Sequence, residues 1–172
     1  MLYRISKRIF DIFCSIVGII VTSPLWFIAI IGILVSDWGP VFYTSYRIGK
    51  NNKPFKMYKF RSMRINKSAN ELSLRPDEKR IFLFGHFIRK YKIDELPQLF
   101  NVLNGTMSVI GPRPVAQDQI DLFRTGKWNL AATVPVGLSG PAALYDFIYG
   151  DKFIDEREYM EHVFETRREL EY

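Results

Sequence analysis

An adjacent acidic pair, Asp94-Glu95, directly follows a strongly basic stretch and opens the amphipathic run DELPQLFNVLN. Leu96, Leu99, Phe100 and Leu103 recur at i, i+3, i+4 and i+7. Pro97 suits a first helical turn and Gly105 is a stop signal. The spacing therefore predicts a helix with Asp94 at or near its N-cap. A carboxylate there gains from the helix dipole and from free backbone N–H groups, which favour its ionised, nucleophilic form. Asp at an N-cap with Glu in the first turn is also routine capping, so position alone does not separate chemistry from structure. The basic context points towards chemistry. Lys59, Arg61, Arg89 and Arg113 are candidates to converge on the pair, and Pro112 and Pro114 restrict the backbone of Arg113 and aim its side chain. A guanidinium binds phosphate bidentately. A substrate with two or more negative charges repels a carboxylate nucleophile. Cations offset that repulsion and the charge that develops in phosphoryl transfer. A divalent metal suits the same task, since magnesium favours one or two carboxylates plus substrate phosphates.

Charge is unevenly spread. Residues 1–40 are net +1, residues 41–93 hold 14 basic and 3 acidic side chains for net +11, and residues 94–172 are net −6. Such a basic stretch wants an anionic partner: lipid headgroups, nucleic acid or a phosphorylated substrate. A solvated basic face is the plain alternative. At 172 residues the chain has room for one catalytic domain and a membrane segment. Its one cysteine, Cys14, excludes an internal disulfide and fits a reducing setting, and no Cys/His cluster points to zinc.

The elements that must position the pair begin with an apolar segment. From Ile9 to Val35 the chain is predominantly apolar and Asp11 is the sole charge. That is long enough for a bilayer core and too long for a signal-peptide core. Ser23-Pro24 lies in the middle, where proline predicts a kink and the serine hydroxyl is placed to bond a carbonyl that the proline frees. Arg4, Lys7 and Arg8 precede the segment; Arg47, Lys50, Lys53, Lys56 and Lys59 follow it. Both ends thus prefer the cytoplasmic side, as a re-entrant helix would satisfy, while a bent helix that crosses fully stays open.

Residues 41–63 read as a small β unit: VFYTSYRIG, the turn GKNNKP, then FKMYKFRSM, with Lys59 and Arg61 on one face. Residues 64–77 read as loop. Residues 77–92 predict a basic amphipathic helix with Phe84, Phe87, Ile88 and Tyr91 on one side, suited to a membrane interface or to an ordinary core. MSVI reads as a short strand before the turn GPRP, residues 134–141 as loop, and the C-terminal stretch 153–172 as an acidic amphipathic helix.

Taken together, KRIFDI, Ser23-Pro24, YKFRSM at 58–63, IRKYKIDELPQLFNVLNG at 88–105, MSVIGPRP at 107–114 and the VPVGLSGP loop at 134–141 occur in an order that resembles the monotopic phosphoglycosyl transferases, or bacterial sugar transferases, over nearly the whole chain. The resemblance implies an α+β, mainly α protein. It would have a re-entrant membrane helix (1–36) kinked at Ser23-Pro24, interfacial amphipathic helices and a small β unit in a membrane-associated catalytic domain (37–172). It implies a Mg2+-dependent, two-step transfer of a sugar 1-phosphate from a UDP-sugar to polyprenyl phosphate, at the cytoplasmic face of the bacterial inner membrane. By the match, Asp94 is the nucleophile on the β-phosphate and Glu95 a metal partner or acid/base helper, so that the pair would hold the metal. Arg89 grips the polyprenyl phosphate, and Arg113, flanked by Pro112 and Pro114, contacts the nucleotide-sugar phosphate. Lys59, Arg61 and Gln98 fall on further active-site positions. The implied partners are the UDP-sugar, polyprenyl phosphate and inner-membrane lipids, with a homodimer left open and no nucleic acid. Two departures stand out: PVGLSGPAAL replaces the family's common P-G-I-T-G-W, which leaves the donor sugar open, and many members continue beyond the position of LEY. A membrane-anchored adaptor of weak or no activity is the alternative within the family. A nucleic-acid binder lacks any recognisable reading motif.

Overall fold

The computed structural model describes residues 2–65, 78–124 and 126–149. It is mainly helical with a small sheet component, in the order α1 (Leu2–Ser36), β1 (Phe42–Ile48), β2 (Pro54–Phe60), α2 (Leu83–Lys90), α3 (Gln98–Asn104), β3 (Ser108–Ile110), α4 (Ile120–Phe123), β4 (Gly137–Ser139) and α5 (Pro141–Tyr149). The acidic helix expected over 153–172 lies outside the described residues, as does most of the loop expected at 64–77.

At 35 residues α1 extends about 50 Å at the α-helical rise. Among the described helices it is the one long and apolar enough to cross a membrane, with mean hydropathy 2.4 in its most apolar window. It continues through Pro24. Proline has no N–H for the carbonyl of Ile20, four residues back. The Ser23 hydroxyl donates to that same carbonyl at 2.8 Å, as expected from the pair. A narrow stripe of α1, Asp11, Ser15, Ala29 and Ile33, is buried against the rest of the protein, while Phe13, Ile20, Phe27 and Ile31 among others face outward.

Both ends of α1 are fastened to the body that follows. Near its start Arg8 donates to the carbonyls of Val102 (2.6 Å) and Leu103 (2.5 Å) in the last turn of α3, the former also accepting the Gly105 N–H at 3.1 Å. Buried Asp11 accepts from the Ser108 hydroxyl and the Val109 N–H of β3, both at 3.0 Å, with Lys7 beside it at 3.6 Å. Just past its other end, Asp37 is bonded by Arg61 through both its side chain and its carbonyl.

The two halves of the β unit pair antiparallel, from Phe42↔Phe60 to Ile48↔Pro54. Asn51 and Asn52 take left-handed conformations in the turn, which asparagine tolerates. Helix α3 lies along the open edge of β2. There the Asn101 side chain accepts the Tyr58 N–H (3.0 Å) and donates to the Lys56 carbonyl (2.8 Å), continuing the ladder. Hydrophobic packing occurs on two sides of the hairpin. Phe60 joins Ala29, Ile33, Phe82, Ile88 and Ile93, and Phe55 and Met57 join Val102, Met107 and Val136.

Two elements differ from expectation. The helix expected over 77–92 is confined to Leu83–Lys90. Phe82 is extended and buried in the core, and neighbouring Ile81 bridges to Met63, so tertiary packing ends the helix there. Ile88 points inward, whereas Leu83, Phe87 and Tyr91 face out. The stretch 134–141 is more than loop, because Gly137–Ser139 forms β4, parallel to β3. Glycines permit the pairing: a Cβ on Gly137 would lie 2.2 Å from the Gly111 nitrogen.

Candidate active site

The carboxylate pair sits in the link between α2 and α3. After Lys90 the chain passes Tyr91, takes a left-handed step at Lys92 (φ 57°, ψ 20°) and enters a tight 3-10 turn at Ile93–Glu95. Bonds of i+3 type continue through Leu96→Ile93, Leu99→Leu96 and Phe100→Pro97, at 3.0 to 3.1 Å. The observed N-cap of α3 is Pro97, so Asp94 lies one turn upstream of it and not at the cap as expected. Without a longer hydrogen-bonded helix behind it, Asp94 gains less from a macrodipole than its sequence position implied.

Its surroundings are drier than expected as well. Asp94 is 5% exposed, and its Oδ1 is buried with no hydrogen-bond partner among the described residues. Burial pushes its carboxyl above the ordinary 3.8. Lys59 pulls it down, Glu95 adds to the rise, and Arg89 and Lys92 pull it down further without cancelling the effect. The expected preference for the ionised form is thus reversed in sign: the protein raises the free energy of the Asp94 carboxylate. Glu95 behaves oppositely. Burial disfavours its charge, but the field and hydrogen bond of Lys59, with Arg113 and Lys92, bring it down from 4.5 to about 2. The Lys59 ammonium donates to Glu95 Oε1 at 2.8 Å.

The structure accordingly brings Lys59, Arg89 and Arg113 to the pair from three elements. Lys59 comes from the end of β2, Arg89 from the last turn of α2, and Arg113 from the turn after β3. That turn is braced on both sides: the Pro112 carbonyl accepts the Gly137 N–H and the Val115 carbonyl accepts the Ile48 N–H, both at 2.8 Å, with Pro114 between. Gln98 is buried at the head of α3. Arg61 is placed elsewhere. It shares the inward parity of Lys59, but it lies beyond the end of β2, is 3% exposed, and spends its donors on Asp37 and, at 2.6 Å, the Pro40 carbonyl. It fastens the exit of α1 and does not reach the pair.

Sequence reasoning assigns no role to Asp11, Asn101 or Ser108, and treats Arg8 only as a basic flank of the apolar segment and Lys92 only as a basic edge of the 77–92 helix. Asp11 had a signal as the lone charge in the apolar segment, and Asn101 one as an amide inside an apolar helix face. A metal has a fitting place. Among the described residues no group of three metal-binding side chains occurs, but two adjacent carboxylates with an orphaned, buried Oδ1 match the magnesium pattern of few protein ligands plus substrate phosphates.

The profile of the bacterial sugar transferases matches residues 2–168. The chain belongs to this family. Similar curated proteins carry transferase names. The chain is 42% identical over 140 residues to the undecaprenyl-phosphate galactose phosphotransferase of Salmonella typhimurium, covering 70% of this chain and 28% of that one. It is 42% identical over 123 residues to the UDP-N-acetylgalactosamine-undecaprenyl-phosphate N-acetylgalactosaminephosphotransferase of Aeromonas hydrophila, covering 71% and 29%. It is 39% identical over 140 residues to the uncharacterized sugar transferase EpsL of Bacillus subtilis, covering 81% and 68%. The chain thus spans less than a third of the first two relatives.

Proposed function

We propose that this family member is a phosphoglycosyl transferase. It moves a sugar 1-phosphate from a UDP-sugar to polyprenyl phosphate at the cytoplasmic face of the bacterial inner membrane, as a first membrane step of glycoconjugate assembly. The observation that carries the reading is the buried, unpartnered Oδ1 of Asp94 among Lys59, Arg89 and Lys92. An unsolvated carboxylate is costly to maintain unless an electrophile or cation completes it.

In the first step Asp94 attacks the β-phosphorus of the donor. An aspartyl phosphosugar bond forms and the bond to UMP breaks. In the second, an oxygen of polyprenyl phosphate attacks the same phosphorus and releases the Asp94 carboxylate. Splitting the transfer means that two anionic substrates never need to react directly. Mg2+, held by Asp94 and Glu95 with the donor phosphates, would neutralise their charge. Arg113 and Lys59 serve the donor side and Arg89 the acceptor side. Lys59 also keeps Glu95 ionised beside a nucleophile whose carboxyl burial pushes above the ordinary aspartate range.

Two features support a lipid acceptor. An apolar groove of about 700 Å³ runs from Pro97 along Phe100, Leu103 and Asn104 and against Phe42, Thr44 and Tyr58. It joins the flank of α1 through the Trp26–Phe100 ring contact. The second is that Arg8 and Asp37, from opposite ends of α1, hold the same body. A helix fastened at both ends to one polar domain favours entry and exit on one side of a membrane. The outward Leu83 and Phe87 of α2, with Tyr91 at its C-cap, suit the same interface.

Asp94→Asn is expected to abolish UMP release while the protein stays membrane-bound. Intact-mass analysis of the parent with UDP-sugar and no acceptor should show a phosphosugar adduct that Asp94→Asn lacks. Turnover near the parent's in that variant would end the reading.

A further inference from the structure

Six described residues have positive φ: three glycines, Asn51, Asn52 and Lys92. Glycine and asparagine adopt this region readily and other side chains do not. Lys92 is the exception. It follows the C-cap of α2, the slot where a helix end calls for glycine. At the end of α3 the chain meets the same demand with Gly105 (φ 85°). Lysine at 92 therefore sits against the backbone preference, two residues before Asp94.

The backbone there is pinned from both sides. The Lys92 N–H donates to the Arg89 carbonyl (3.1 Å) and the Lys92 carbonyl accepts the Glu95 N–H (3.2 Å). Its side chain is exposed and makes no ion pair with a described residue, unlike Lys59, which is already bound to Glu95. Its charge nonetheless acts on both carboxylates. A strained residue beside a reactive group marks a side chain held for use.

We infer that Lys92 is a substrate-contact residue whose ammonium binds the phosphate brought to Asp94. The inference rests on the proposed transferase reading and adds one cation to it. The phosphate belongs either to the donor diphosphate or to the polyprenyl acceptor, and the two half-reactions tell them apart.

Three variants separate charge from backbone. Lys92→Gln removes the charge and keeps the strain, Lys92→Gly removes both, and Lys92→Arg keeps both. The expected result is a fall of about tenfold in kcat/KM for Gln and Gly, with Arg close to the parent. Lys92→Gly should melt no lower than the parent despite its lost activity. A loss seen as slower adduct formation without acceptor assigns the contact to the donor. A normal adduct rate with a raised acceptor KM assigns it to polyprenyl phosphate. The inference falls if Gln and Gly both keep parental kinetics, if Arg fails to rescue, or if Gly is active where Gln is not. It also falls if activity is lost only in step with melting temperature, which would reduce Lys92 to a cation at a helix end. Absence of UMP release and adduct in the parent would instead count against the transferase reading itself.

Discussion

Asp94 and Glu95 are chain neighbours that the protein titrates in opposite directions, and this has consequences for rate and for stability. In the proposed mechanism Asp94 is ionised when it attacks, so the acid limb of kcat/KM for UMP release is expected above pH 3.8, the ordinary aspartate value. Lys59 is the largest influence lowering it, so Lys59→Met should move the limb to higher pH as well as slow the reaction. A pH–rate profile checks both; a limb at or below 3.8, or a shift to lower pH, contradicts them. Stability follows the same linkage with opposite signs. Glu95, lowered to about 2, contributes stability that is complete above 4.5 and is lost as pH falls towards 2. Asp94, raised, imposes a penalty that is absent at low pH and appears as pH rises through its folded value. Asp94→Asn should therefore melt higher than the parent at pH 7, by roughly 0.5–2 kcal/mol, the usual scale when a functional strain is removed. Thermal melting without Mg2+ measures it, and a lower melting point would show that the charge is stabilising.

Among the elements, legibility depended on whether the signal was local. The hairpin was readable because alternation and the Asn pair encode it within one short stretch of chain, and α3 because its apolar spacing and Gly105 are adjacent in the chain. The shortened α2 was not, since Phe82 is drawn into a core built by Ile33 of α1 and Phe60 of β2. Nor was β4, whose pairing with β3 depends on close backbone approach at Gly111 and Gly137. At the site, the acidic pair and three of its cations were recognisable by type and spacing. The misplacement of Arg61 arose because strand parity gives a direction and not a partner, and its partner Asp37 lies on the far side of β1 in the chain. Asn101 illustrates what such a distant partner contributes. Its amide satisfies the Tyr58 N–H and Lys56 carbonyl on the open edge of β2. Asn101→Ala should destabilise by about 2–4 kcal/mol, because a buried group left unpaired costs about 1–3 kcal/mol. Since β2 carries Lys59, loss of activity should accompany the loss of stability, both read from melting and UMP release. A stable, inactive Asn101→Ala would point instead to direct involvement in the reaction.

At the scale of the whole molecule, the proposed function requires that a helix of 35 residues serve a domain on one side of a bilayer. A straight crossing would put Arg8 and Asp37 in different compartments, yet Arg8 holds the end of α3 and Asp37 holds Arg61. Asp11 makes the crossing harder still, since a charged group at membrane depth is expensive and this one is satisfied by Ser108 and Val109 of the same domain. The bend expected at Ser23-Pro24 has its compensation in place, because the Ser23 hydroxyl occupies the carbonyl that Pro24 leaves without a donor. These facts favour a helix that enters and returns. A cysteine at Leu2, in a background where Cys14 is serine, should react with an impermeant maleimide only after the cytoplasmic face is opened, as should a second cysteine at Tyr43 beyond the helix. Labelling at Leu2 in intact cells with Tyr43 protected would mean that α1 crosses fully. The contacts of Arg8 and Asp11 with the catalytic domain could not then form in the membrane. Asp11→Ala supplies the energetic counterpart. It strips the Val109 N–H of its acceptor, at about 1–3 kcal/mol, while the Ser108 hydroxyl keeps the Ile110 carbonyl, and should loosen the domain from α1 with α1 still membrane-bound.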